Sequence, residues 1–119
     1  MKVILVNGSP HKEGCTYTAL REVEKELINS GIETEIIWLG VKPVSGCLGC
    51  AQCIKKGPNG EKPTLRCVIN DGVNEFLDKA EKADGFVFGS PVHYAAISGA
   101  LSSFMDRAFY GKGKIFRYK

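Results

Sequence analysis

The sequence predicts an α/β domain built on a doubly wound parallel sheet, and three observations carry that expectation. Residues 2–6, KVILV, are a continuous apolar run bounded by NGSP, as expected of a parallel strand covered on both faces. A stretch with apolar residues at helical spacing follows it, and a second apolar, β-branched run follows that. Alternation of this kind implies crossover connections, which are right-handed and return each strand parallel to the last.

Each element can be justified in turn. Residues 16–29 place Leu20, Val23, Leu27 and Ile28 at helical spacing, and Ser30-Gly31 closes the helix. ETEIIWL, residues 33–39, is the second strand. Residues 40–72 are rich in Gly, Pro, Lys and Cys, and far exceed an ordinary connection of about 4–6 residues. GVNEFLDKAEKAD, residues 72–84, is a helix with Val73, Phe76, Leu77 and Ala80 on one face. GFVFGSP, residues 85–91, is a third covered strand, and SGALSSFMDRAF, residues 98–109, a third helix. A fourth strand is expected to begin over residues 115–118. A doubly wound sheet normally has about five strands. The sequence is therefore expected to stop mid-fold, as a fragment, a truncated chain or a protomer completed by a partner.

A chain of 119 residues is a single domain that can bury a core without disulfides. With 44% hydrophobic and 24% charged residues it is globular rather than disordered. A net charge of +3, without a basic patch interleaved with aromatics, argues against nucleic-acid binding. MKVILVNGSP is too short an apolar run for a secretory leader, and no stretch approaches a membrane span, so a cytoplasmic protein is expected. In that compartment thiols stay reduced, and a cysteine cluster points to metal or redox work rather than to disulfides.

Two loops at the carboxyl ends of strands carry binding chemistry. In GSPHKEGCT, residues 8–16, a turn glycine, the Ser9 and Thr16 hydroxyls, and the free N–H groups of a helix N-terminus make an anion cradle, to which Lys12 adds charge. It is neither G-x-G-x-x-G nor a Walker A loop. Read alone, it is also compatible with a simple turn and a threonine N-cap. GSPVHYAAISGALSSFMDR, residues 89–107, exposes an aromatic and backbone amides at the same sheet edge. A planar ring can rest there while its phosphate sits on the first loop. Asp106 and Arg107 are expected as a helix-end ion pair.

Together these two loops resemble the NADPH-dependent FMN reductase family of flavodoxin-like proteins. With CLGCAQC between them, the chain resembles its iron-sulfur flavoprotein branch over residues 1–110. The resemblance implies that the FMN phosphate lies against Ser9, His11, Lys12, Gly14, Cys15 and Thr16. It implies that the isoalloxazine lies along Pro91, Val92, His93, Tyr94, Ile97 and Ser98. Cys15 stands where that family commonly has Asn, and is expected to be a small buried filler. Outside the motif, His93 would read as a solvated loop histidine and Tyr94 as a packing residue.

Cys47, Cys50 and Cys53 follow at three-residue intervals, and thirteen residues, IKKGPNGEKPTLR, separate Cys53 from Cys67. C-x-x-C-x-x-C spacing suits three corners of a ferredoxin-type cubane, with the fourth ligand from a distance. The four cysteines thus have three readings: a [4Fe–4S] cluster, zinc, or reduced thiols that bind nothing. Lys55, Lys56, Lys62 and Arg66 would offset the charge of a thiolate cluster.

The function expected is an FMN-dependent oxidoreductase passing electrons to a small-molecule acceptor, with NAD(P)H or a ferredoxin-like protein as donor. No acid–base dyad is evident, and flavin hydride transfer does not demand one. A cluster-free NAD(P)H-dependent FMN, quinone or azo reductase is the competing enzyme. A metal-thiolate sensor or electron carrier is the non-enzymatic alternative. The resemblance further implies a homodimer or homotetramer.

Overall fold

β1 (Lys2–Asn7) forms where the apolar run predicts it, and its residues 3–7 are all buried. The structure is a computed structural model, and it describes residues 1–112 and 116. Three of its strands make a parallel sheet in the order β2-β1-β3, with β2 at Glu33–Trp38 and β3 at Gly85–Gly89. The register pairs Leu5 with Ile36 on one side and with Val87 on the other.

Alternation along β1 sends its side chains to two different cores. Val3 and Leu5 pack with Leu20 of α1 (Cys15–Asn29). Ile4 and Val6 pack with Val73, Phe76, Leu77 and Ala80 of α2 (Val73–Ala80), and with Leu101, Phe104 and Ala108 of α3 (Gly99–Lys112). Helices therefore cover both faces, which is the doubly wound arrangement expected. Phe76 meets Phe104 edge-on at 4.6 Å between centroids, locking α2 to α3.

Several expectations shift. On α1 the buried face runs through Leu20 and Glu24, while Val23 and Ile28 are 40% and 54% exposed. Glu24 tolerates its place because Arg21 pairs with it and the Thr34 hydroxyl donates to it. α1 starts at Cys15 and is capped by the backbone of Gly14, so Thr16 is a helical residue and not the N-cap. β3 ends at Gly89, and α2 ends at Ala80. Beyond β3 the chain makes a small hairpin that the sequence did not announce, β4 (Val92–His93) against β5 (Ala96–Ile97). Its turn residues Tyr94 and Ala95 have φ of 46° and 61°, which is the two-residue primed turn normally given to Asn and Gly. The fourth strand expected at residues 115–118 lies outside the described residues, apart from Phe116. Among the described residues, no helix is long and apolar enough to cross a membrane.

Candidate functional site

The order β2-β1-β3 places a topological switch between β1 and β3, because the chain leaves β1 toward one side and returns on the other. A crevice opens at the carboxyl ends of strands at such a point. The two loops predicted to bind a ligand, residues 8–14 and 90–98, both lie there. They are bonded to each other: the Gly8 N–H donates to the Gly89 carbonyl at 2.9 Å, and the Ser98 hydroxyl donates to the Gly8 carbonyl at 2.7 Å. Ser98 in turn accepts from Leu101 N–H, and its own N–H donates to Ser90 Oγ. Ser98 is buried, so it ties the loops together from beneath.

Asn7, fully buried at the end of β1, shapes the first loop. Its Oδ1 accepts from Ser9 N–H at 3.0 Å, and its Nδ2 donates to the Lys12 carbonyl at 3.1 Å, so one side chain holds both ends of the turn. Ser9 is buried, its Oγ accepts from His11 N–H, and its carbonyl accepts from Trp38 Nε1 at 2.9 Å. Lys12 Nζ lies 5.8 Å from the Trp38 ring, a cation–π distance. The loop leads into α1, whose first turn contains no acidic residue and whose cap makes no side-chain hydrogen bond. The first N–H groups of a helix lack intrahelical acceptors, and the macrodipole makes that end positive. His11, Lys12 and Cys15 are exposed, and Gly14 and Thr16 are partly so. Cys15 is therefore not the buried filler expected: at the first position of α1 it is exposed.

The hairpin supplies the other wall. Val92, Tyr94 and Ile97 are exposed despite being apolar or aromatic, at 80%, 105% and 46%, and His93 is exposed beside them. Pro91 is half-buried at the base. A hydrogen-bonded turn leading into a helix N-terminus and an exposed apolar ledge thus stand side by side at one sheet edge.

The long cysteine segment has an order of its own. Cys47, Cys50, Cys53 and Cys67 line one cavity, closed by apolar neighbours including Leu65, Ile69 and Leu77, with Arg107 and Gly111 from α3. The thirteen intervening residues do not keep Cys67 away. Leu65 N–H donates to the Cys53 carbonyl at 2.9 Å and closes the insertion as a side excursion. Asn74 then clamps the Cys67 peptide with two bonds of 2.9 Å, accepting from its N–H and donating to its carbonyl. A Cβ placed on Gly111 would come within 3.2 Å of Cys53 Sγ, so α3 approaches the cavity closely. Two sulfurs accept N–H donors, Cys47 from the Gly49 backbone at 3.4 Å and Cys67 from Arg107 Nε at 3.3 Å. Burial pushes the Cys53 thiol up, and the charges of the other three cysteines push the same way. All five cysteines are free.

Arg107 corrects a sequence expectation. It pairs not with Asp106, which is exposed, but with Asp71, in a fork whose Nη2–Oδ1 arm is 2.8 Å. The same guanidinium donates to the carbonyls of Ser45 and Ile69. Burial works to raise the Asp71 carboxyl, but the Arg107 hydrogen bonds and charge outweigh it and bring it below its ordinary value. Sequence reasoning missed Asn7, Asn74 and the Asp71–Arg107 pair. Only Asn7 carried a local signal, a polar residue ending an otherwise apolar strand.

Among the described residues, no three His, Cys, Asp or Glu side chains stand as ligands to one ion. A tetrahedral zinc would need thiolate sulfurs about 3.8 Å apart, given bonds of about 2.3 Å. A cubane takes one thiolate at each iron, and the four cysteines lining this cavity match that number of ligands.

Comparison with known proteins follows the same lines. The family model described as NADPH-dependent FMN reductase matches residues 1–119. An iron-sulfur flavoprotein of Methanocaldococcus jannaschii is 41% identical over 108 residues, covering 91% of this chain and 52% of that protein. One from Archaeoglobus fulgidus is 34% identical over 107 residues, covering 90% of this chain and 45% of its own. The chain thus spans about half the length of the curated relatives it matches. A crystal structure of a Streptococcus mutans protein has a TM-score of 0.63 at 18% identity, covering 92% of this chain and 53% of that one. An FMN-dependent NADH-azoreductase from Bacillus anthracis, solved with FMN, has a TM-score of 0.55 at 21% identity, covering 90% and 55%. These two structures share the fold.

Proposed function

The chain belongs to the NADPH-dependent FMN reductase family, and on that premise we propose that it is the FMN-binding part of an electron-transferring flavoprotein whose four cysteines hold an iron-sulfur cluster. The observation that supports FMN most directly is the bonding of the two loops at the β1/β3 switch point through Gly8, Gly89 and Ser98. When bound there, FMN supplies hydride and single-electron transfer, and the protein supplies position and electrostatics.

The roles of the residues follow from their places. Ser9, His11, Lys12, Gly14, Cys15 and Thr16 hold the phosphate, through hydroxyls, charge and the open N–H groups at the start of α1. Pro91, Val92, His93, Tyr94 and Ile97 form the ledge for the ring. Ser98 fixes the spacing between cradle and ledge. Cys47, Cys50, Cys53 and Cys67 are the cluster ligands, and a [4Fe–4S] group held by them supplies one-electron transfer. NAD(P)H or a ferredoxin-like protein is the donor, a small molecule the acceptor, and a cytoplasmic homodimer or homotetramer the working form.

Two experiments test these assignments. Ser9→Ala combined with Thr16→Ala should weaken FMN binding by about 1–3 kcal/mol, through lost hydrogen bonds to a charged group. Riboflavin, which has no phosphate, should barely notice the pair. Equal losses for the two ligands in fluorescence titrations would mean that the loop acts through folding alone. Anaerobic reconstitution should load about four iron and four sulfide per chain. Cys50→Ser and Cys67→Ser should each lower that loading, and Cys15→Ser, in the phosphate loop, should not. A parent that stays iron-free yet binds FMN favours the cluster-free NAD(P)H-dependent FMN, quinone or azo reductase.

A further inference from the structure

The cysteine segment is long and irregular, and something must deliver its fourth thiol to the other three. Arg107 is placed to do so. It comes from α3, outside the segment, and is only 3% exposed. One guanidinium reaches the backbone before the first cysteine at Ser45, the last cysteine itself at Cys67 Sγ, and the backbone just after it at Ile69. Asp71 holds the same group in a fork and fixes its plane. A lysine has neither the planar fork nor enough donors to make these bonds together.

We propose that Arg107, oriented by Asp71, is a positioning residue for the four-cysteine site, joining the two ends of the segment and fixing both the placement of Cys67 and the charge beside it. This rests on the cluster reading above. The consequences for charge have opposite signs at the two residues. A buried cation beside the thiolates stabilises the more negative, reduced form of whatever redox group they hold, and a nearby anion opposes it. Hydrogen bonds to thiolate sulfur and net charge are the levers by which a protein sets such a potential.

The test uses the protein reconstituted with iron and sulfide, compared with Arg107→Gln, Arg107→Lys and Asp71→Asn, each checked for fold by circular dichroism and for FMN binding. Arg107→Gln should bind the cluster about tenfold more weakly, the usual cost of losing an outer partner of a metal ligand, and Arg107→Lys should recover part of that. In the loaded fraction, followed by electron paramagnetic resonance during a dithionite titration, Arg107→Gln should move the midpoint potential down. Asp71→Asn should move it up. A purely structural role would lower loading without opposite shifts. Where Arg107→Gln does not fold, Asp71→Asn and Arg107→Lys decide: an upward shift in the first with a smaller change in the second supports the inference. A loaded parent with the same loading and potential in every folded variant overturns it, as do shifts of one sign in Arg107→Gln and Asp71→Asn. A parent that takes up no iron overturns the cluster reading itself, and this inference with it.

Discussion

Asp71→Ala should lower stability by about 3–5 kcal/mol at neutral pH, because it leaves the Arg107 charge buried without a carboxylate, with only two carbonyls and the Cys67 sulfur as acceptors. The guanidinium side chain is 1% exposed and the carboxylate 16%, so water cannot replace the lost partner. Removing the cation instead, as Arg107→Met, should cost less, since the carboxylate lies nearer the surface and can protonate or rehydrate. Urea unfolding of the two variants checks the order. The pH dependence has a definite sign. The Asp71 carboxyl is lowered in the folded protein from an ordinary 3.8, so its contribution is full above that value. It is lost as the pH falls through the lower folded value. The gap between parent and Asp71→Ala should therefore be wide at pH 7 and narrow in acid below about pH 4. A gap that holds constant into acid would mean that the pair contributes through packing and not through charge.

The parts of this molecule that were readable in advance are those governed by local pattern. β1 and the apolar face of α2 appear as expected because strand and helix periodicities act over a few residues. The same reading went wrong on α1, where Val23 and Ile28 are exposed and Glu24 is buried. Nothing near Glu24 indicates that Thr34, ten residues on, would donate a hydrogen bond to it. The hairpin at Val92–Ile97 was missed because its turn uses Tyr94 and Ala95, which carry none of the usual turn signals. Both loops of the crevice were legible from their Gly-Ser-Pro starts. Asn7, which sets the shape of the first, was read only as part of the NGSP that bounds the strand.

The cysteines divide along the same line. Their three-residue spacing is visible to the eye, and it named the candidate ligands. What gathers them is not local at all. Asn74 holds the Cys67 peptide from seven residues away, and Arg107 reaches its sulfur from forty. A basic residue on a predicted helix gives no hint of a partner so distant in sequence, and the neighbouring Asp106 offered a nearer and wrong one. Thirteen residues separate Cys53 from Cys67 in sequence, yet a single backbone bond from Leu65 to Cys53 takes most of them out of the path.

Gly8→Val should separate the two loops proposed to hold FMN, with a stability loss of about 1–3 kcal/mol from overpacking and FMN binding about 100-fold weaker, or about 2.7 kcal/mol. A Cβ at Gly8 would lie 2.7 Å from the Cβ of Leu101 and 3.2 Å from the Gly89 carbonyl oxygen. Neither obstacle is the free end of a flexible side chain. Leu101 is 2% exposed in the core under α3, and the Gly89 oxygen is the acceptor of the bond that joins the loops. The added bulk must therefore push β1 away from β3 or α3 away from both, and either movement stretches the Ser98 to Gly8 bond of 2.7 Å. Gly99→Ala is the control, at the other loop where it enters α3, with nothing within 4 Å of its added Cβ. It should leave stability and FMN affinity close to the parent. Calorimetric titration with FMN, alongside urea unfolding of each variant, separates the two effects. If Gly8→Val loses stability but binds FMN as tightly as the parent, the flavin does not sit in the crevice between these loops.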